Sequence, residues 1–213
     1  MITFGLTGFS GTGKSTLSKE MQKKIPNSRY LDGDIYMYGT LTHFKELTEE
    51  MWGDTIYKPN GELSFTCVTT GGEKGRKFMK EVSLWISEQI EKEIEKAKKD
   101  RIDCLVIDWT GLSSLDVWDK LDVKVHVISD EEKRHEMLSK RKIRGCTPEF
   151  AKKRDEFFSY AYDNIDKSVL KCKNDFTEKS MKKNLLTLLY FYKRLKGMRE
   201  HEKNKKDDIS WDR

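Results

Sequence analysis

The sequence predicts an α/β protein built on a doubly wound parallel sheet, and three features predict it. Short apolar runs alternate with amphipathic helical stretches along most of the chain. IDCLVI, residues 102–107, is nearly continuous in apolar residues, as a strand covered on both faces must be. The first run, ITFGLT at residues 2–7, leads directly into a glycine-rich loop and then a helical pattern. Strands alternating with helices imply right-handed crossovers and helices on both faces of the sheet.

Residues 2–7 form the first strand. Leu17, Met21 and Ile25 then recur at helical spacing as far as Pro26. Residues 28–31 make a brief second strand that ends at Asp32-Gly33-Asp34 and is expected beside the first, in the usual doubly wound order. From 35 to about 74 the pattern is irregular, with aromatic residues, a turn at KPNG (58–61) and the pair Gly71-Gly72. This stretch reads as a mobile or substrate-covering region. Residues 77–99 predict a long helix with Phe78, Val82, Ile86, Ile90 and Ile94 on one stripe and Glu88/Lys92 and Glu95/Lys99 pairs for support.

The strand 102–107 ends in Asp108, and VKVHVI at 123–128 is another strand. Ser129 and Glu132 fit a capping box for a helix running toward Arg144. Thr147 and Pro148 open the next helix, which carries Phe150, Phe157, Ala161 and Ile165. Residues 168–172 are the last strand. A final helix, 178–195, buries Met181, Leu185, Leu188, Leu189 and Tyr192. KGMREHEKNKK, 196–206, is poor in apolar residues and reads as a solvated or frayed tail.

At 213 residues the chain suits one domain with a small inserted region. The boundaries this predicts are a domain over 1–195, with 35–99 covering the acceptor and 133–150 acting as a lid, followed by the charged tail 196–213. The net charge of +5 arises from 41 basic and 36 acidic residues that are interspersed, so a mixed surface is favoured over a nucleic-acid footprint. No stretch approaches the length that spans a bilayer, and no secretory signal opens the chain, so no membrane partner and a cytoplasmic location are expected. Cys67, Cys104, Cys146 and Cys172 lack any C-x-x-C spacing, which favours reduced thiols. His43, His126, His135 and His201 lack metal-ligand spacing. Nothing in the sequence specifies an oligomeric state.

The chemistry is concentrated in GFSGTGKST, residues 8–16. Gly8-x-x-x-x-Gly13-Lys14-Ser15 satisfies the phosphate-loop pattern, with the preceding strand and following helix that the pattern requires. Glycines allow successive backbone N–H groups to turn inward and cradle phosphate oxygens at a helix N-terminus. Gly8, Ser10, Gly11, Thr12, Gly13, Lys14, Ser15 and Thr16 are therefore the candidate ATP-binding residues. Lys14 would reach the β- and γ-phosphates, and the Ser15 hydroxyl would ligate Mg²⁺.

Asp108, at the carboxyl end of an apolar strand, is the second candidate metal residue. A turn or cap residue is its other reading. Asp32 and Asp34 follow the second strand at the ligand-binding edge of the sheet, where a carboxylate can accept the proton of an attacking hydroxyl. A plain Asp-Gly turn is the alternative there. Arg134, Arg141 and Arg144 lie in KRHEMLSKRKIRG, 133–145, either a solvated helix face or cations that close over developing charge.

With these residues in view, the chain resembles the small-molecule kinases with a phosphate loop, most closely dephospho-coenzyme A kinase. The resemblance runs from GLTGFSGTGKST to about residue 195. It implies that Asp34 is the base, that Arg134 and Arg141 are lid arginines, that Arg154 contacts substrate from the following helix, and that Asn174 in KNDFTE (173–178) lies near adenine. WGDTIYKPNGEL (52–63) is similar to that family's acceptor region. The chain departs from the family where SLWISE replaces a His-Pro pair, where WTGLSS follows Asp108, and where SFTC follows the Asp-Gly-like turn. The expected activity is ATP- and Mg²⁺-dependent phosphorylation of a small-molecule hydroxyl. Nucleoside or nucleoside monophosphate kinases and a regulatory nucleotide hydrolase remain alternative readings of the same residues.

Overall fold

The computed structural model of the chain describes residues 1–56, 66–140, 147–163, 165–166 and 169–209. Among these, the strands are β1 (Ile2–Thr7), β2 (Ser28–Asp32), β3 (Cys104–Asp108), β4 (Val123–Ser129) and β5 (Leu170–Asn174). They form one sheet in the order β2-β3-β1-β4-β5, with every pairing parallel. Every residue of β1 is buried, as expected for the central strand.

The alternation of side chains divides the core between the two faces. Phe4, Leu6, Val106 and Val125 join Leu17 and Met21 of α1 (Lys14–Lys24) and Leu188 and Tyr192 of α8 (Glu178–Ile209). Leu105 and Ile107 face the other way, toward Phe78, Val82, Ile86, Ile90 and Ile94 of α5 (Gly72–Lys99). The apolar stripe expected over 77–99 is thus the stripe that is buried. On this second face lie also α2 (Asp34–His43), α3 (Lys45–Trp52), α4 (Thr66–Thr70) and α7 (Pro148–Phe158). The remaining helix, α6 (Glu131–Lys140), packs on α7. No helix among the described residues is long and apolar enough to cross a membrane.

Several expectations are corrected. The second strand is not beside the first: β3 inserts between them, with Asp32 and Leu6 both in register with Asp108. The described residues of 35–74 are largely helical, because Met37 and Leu41 sit one turn apart and anchor α2 on the core. The long helix begins five residues earlier than expected, at Gly72, and the edges of β3 and β5 shift toward their carboxyl ends.

Ser129 does not cap α6. It stays extended, in register with Asn174, and the cap passes to Asp130, whose Oδ1 accepts from Lys133 N at 3.0 Å. Thr147 is the cap expected for α7, accepting from Phe150 N. The final helix does not stop at 195 but continues to Ile209. Two side chains beyond 195 hold it to the body: Lys196 pairs with Asp103, and Arg199 reaches Asp122 and the Met1 carbonyl.

Candidate phosphate-binding site

The sheet order reverses direction beside β1, so the crevice at its carboxyl end is the topological switch point where ligands bind in open α/β sheets. The loop from Gly8 to Gly13 occupies that point and runs into α1. Two of its glycines are required by geometry. A Cβ on Gly8 would lie 2.2 Å from the Val127 carbonyl oxygen, and one on Gly13, at φ +93°, would lie 2.5 Å from Asn174 Nδ2.

Lys14, the first residue of α1, is 7% exposed. Its Nζ donates to the carbonyls of Gly8 (2.7 Å) and Phe9 (3.1 Å) and to Thr110 Oγ1 (3.4 Å). Burial pushes its pKa down; the carboxylates of Asp108 and Asp34 oppose the shift, and the guanidinium groups of Arg154 and Arg134 add to it. Lys14 therefore feels four of the predicted charges at once. Thr12 closes the loop by donating from Oγ1 to the Phe9 carbonyl at 3.0 Å, while Ser15 and Thr16 are exposed in the first turn of α1.

Ser15 Oγ donates to Asp108 Oδ1 at 3.3 Å. Asp108 is 3% exposed, and burial pushes its carboxyl pKa up despite the opposing charge of Lys14. Its other oxygen, Oδ2, is buried without a hydrogen-bond partner among the described residues. A hydroxyl beside a half-satisfied buried carboxylate is an oxygen donor set that fits a hard divalent cation.

The two carboxylates after β2 have different situations. Asp32 Oδ1 accepts from Asp34 N at 3.0 Å, so Asp32 shapes the turn into α2. Asp34 is the first residue of α2, and its charge is felt by Lys14. Asp32 instead acts on Asp108.

Arg134, expected as a lid cation, is bound into the body of the structure. It is 3% exposed and forms a two-pronged ion pair with Asp155 of α7, at 3.0 and 2.5 Å. It also donates to the Ser10 carbonyl at 3.2 Å and lies over the Phe9 ring at 5.2 Å. His135 Nε2 lies 2.8 Å from the same Asp155 carboxylate. Arg134 thus braces the phosphate loop from α6, because its long stem can cross beneath Gly11 to reach both the loop and α7. Arg154, the neighbour of Asp155, lies over the Phe150 ring at 5.9 Å, with its Nε buried and without a hydrogen-bond partner among the described residues. Arg141 lies outside the described residues, as do Arg144, Cys146 and the turn at 58–61.

Asn174 ends β5 and is 3% exposed. Its Nδ2 donates to the Thr12 carbonyl at 2.8 Å and its Oδ1 accepts from Phe176 N and Ser180 Oγ. The side chain therefore fixes the loop from the β5 side.

Thr110, Asp155 and Tyr30 belong to the site and were not singled out from the sequence. Thr110 has a readable signal, following Asp108 by two residues. Its carbonyl accepts from Tyr162 Oη at 2.5 Å, and the Tyr162 ring stacks on His126 of β4 with centroids 5.0 Å apart. Burial, with Lys171 and Lys14 nearby, pushes the His126 pKa down to about 4.

Neither a family model nor a curated protein matches this chain. Solved structures do match in fold. TT1252 from Thermus thermophilus is 15% identical with a TM-score of 0.64, over 89% of this chain and 96% of that one. Dephospho-CoA kinase from Campylobacter jejuni is 12% identical with a TM-score of 0.50, over 89% and 96%. Deoxyadenosine kinase from M. mycoides is 12% identical with a TM-score of 0.50, over 91% and 100%. The fold is that of the P-loop nucleoside triphosphate hydrolases. At these identities the likeness concerns the fold alone.

Proposed function

We propose that this chain is an ATP- and Mg²⁺-dependent kinase that transfers the γ-phosphoryl group to a hydroxyl of a nucleotide-like small molecule, dephospho-coenzyme A being the leading acceptor. One observation carries the proposal: a buried Lys14 at the switch point, influenced by Asp108 and Asp34 on one hand and Arg134 and Arg154 on the other. A site that only holds phosphate needs the loop and the lysine. Phosphoryl transfer needs a carboxylate on the acceptor side as well.

In this reading the loop amides and Lys14 bind the β- and γ-phosphates. Ser15 and Asp108 would hold the magnesium ion, which when bound neutralises charge on those phosphates. Asp34 accepts the proton of the acceptor hydroxyl as its oxygen bonds to the γ-phosphorus and the bond to the β-phosphate oxygen breaks, releasing ADP. Arg154 and, by resemblance, Arg141 stabilise the charge that spreads over the transferring group.

A nucleoside or nucleoside monophosphate acceptor is the second reading. It rests on the departure from the resembled family after Asp108, where WTGLSS stands and Trp109 is buried against Gly33. The test is an acceptor panel with ATP and Mg²⁺: dephospho-coenzyme A, nucleosides, nucleoside monophosphates and water. Transfer to dephospho-coenzyme A supports the leading acceptor, and transfer to a nucleoside or its monophosphate supports the second. ATP hydrolysis with no acceptor phosphorylated would overturn the kinase and favour a regulatory hydrolase.

A further inference from the structure

We infer that the hydroxyls of Tyr30 and Ser18 complete the cation site begun by Ser15 and Asp108, by holding water of a hydrated divalent cation. The inference rests on reading Ser15 and Asp108 as the cation's residues. Its basis is three buried oxygens without hydrogen-bond partners among the described residues: Ser18 Oγ, Tyr30 Oη and Asp108 Oδ2. Buried polar atoms in native proteins are almost always satisfied, so such a group of orphans calls for a ligand or water that completes them.

The topology brings the three together. Asp32 of β2 is in register with Asp108 of β3, and Tyr30 is two residues before Asp32, so it shares that face and lies diagonal to Asp108. Ser15 and Ser18 are three apart on α1, hence on one face of a helix that packs on β2 and β3. Lys19 Nζ lies 5.9 Å from the centre of the Tyr30 ring, which places α1 over that tyrosine. The Tyr30 and Ser18 hydroxyls lie beside the Asp108 carboxylate, and Ser15 lies beside Tyr30.

Lys14 does not satisfy this group, because its described hydrogen bonds go to Gly8, Phe9 and Thr110. The available donor set is hydroxyl and carboxylate oxygen, which suits Mg²⁺ or Mn²⁺ and not a soft metal. Magnesium keeps several of its waters and takes few protein ligands. Hydroxyls set behind the direct ligand are placed to orient those waters. A phenol hydroxyl can both donate and accept, as a water between it and a cation requires.

The experiment is a Mn²⁺ titration of the full chain with ADP, followed by electron paramagnetic resonance, beside ADP binding in EDTA. Tyr30→Phe should weaken Mn²⁺ binding by about 10- to 100-fold, the usual effect of losing an outer-shell partner. Ser18→Ala should weaken it in the same direction but less. ADP affinity in EDTA should equal wild type for both. If both variants bind Mn²⁺ and ADP as wild type does while Asp108→Asn does not, the inference is overturned and the proposed function stands. Wild-type protein that takes up no Mn²⁺ with ADP would overturn both. Should Tyr30→Phe lose ADP affinity in EDTA by the same factor, or melt at a much lower temperature, Tyr30 is merely structural; Ser18→Ala then decides alone.

Discussion

The two ends of the candidate site are built by different means. At the nucleotide end, position is fixed through the backbone: glycines at φ values that favour no side chain, a lysine held by loop carbonyls, and Asn174 and Arg134 bonded to main-chain oxygens. At the proposed acceptor end, position comes from helix packing. Met37 and Leu41 bury one side of α2, and Gly39 lets the Trp85 ring approach closely. The outward side of the same helix starts with exposed Asp34 and Ile35 and continues to Tyr38. Phosphate is one ligand, and main-chain N–H groups are enough to recognise it. An acceptor is recognised by side chains, which can change while the packing beneath them stays.

Changes at the two ends should therefore separate kinetically. The largest effect is expected from Asp34→Asn, which keeps shape but removes the proposed base: transfer should fall by roughly 10²- to 10⁴-fold with ATP affinity retained. Asp32→Asn, made beside it, should cost far less, because Asp32 shapes the turn; the reverse ranking would exchange the two roles. Lys14→Ala should lower turnover by about 10²-fold or more, equally for every acceptor that works. An acceptor-dependent loss would mean that the two ends are not independent.

Next in size is Asp155→Asn, which leaves the buried guanidinium of Arg134 without its counter-charge. Breaking such a pair costs about 3 to 5 kcal/mol, so urea unfolding should shift by that order. The KM for ATP should rise with it, since Arg134 braces Ser10 and Phe9, while the KM of the acceptor stays. The smallest effect is on pH dependence. His126 titrates near 4 when folded and near 6.5 when unfolded, so the unfolded chain binds the proton first and stability is lost as pH falls from about 6.5 toward 4. His126→Phe should melt with a shallower dependence over that window; an unchanged slope would assign the loss to other groups.

What the sequence made legible follows the same division. The loop, Lys14, Ser15 and Asp108 were readable because backbone cradling demands glycine at fixed spacing and a carboxylate at a strand end. The strand order was not, since nothing in residues 28–31 says that a strand seventy residues later will insert beside them. Arg134 was legible as a charge but not as a brace, because its partner Asp155 lies 21 positions away on another helix. The helices within 35–56 were hidden by tyrosine, threonine and glycine, whose low helical preference is overruled by burial of Met37 and Leu41.

The central place of β1 also sets a schedule for synthesis. Both sheet neighbours of β1 come late: β3 ends at Asp108 and β4 at Ser129, so a strand whose every residue is buried in the folded sheet is synthesised long before either partner. At typical elongation rates the wait for β3 is about 5 to 20 s, long compared with the closure of local helices. Until then the nascent loop at 8–13 has no sheet edge to sit on and no Thr110 or Asn174 to hold it. Of the five described strands, β1 therefore waits longest for a pairing partner, and ITFGLT is the apolar strand segment left unpaired for the longest time.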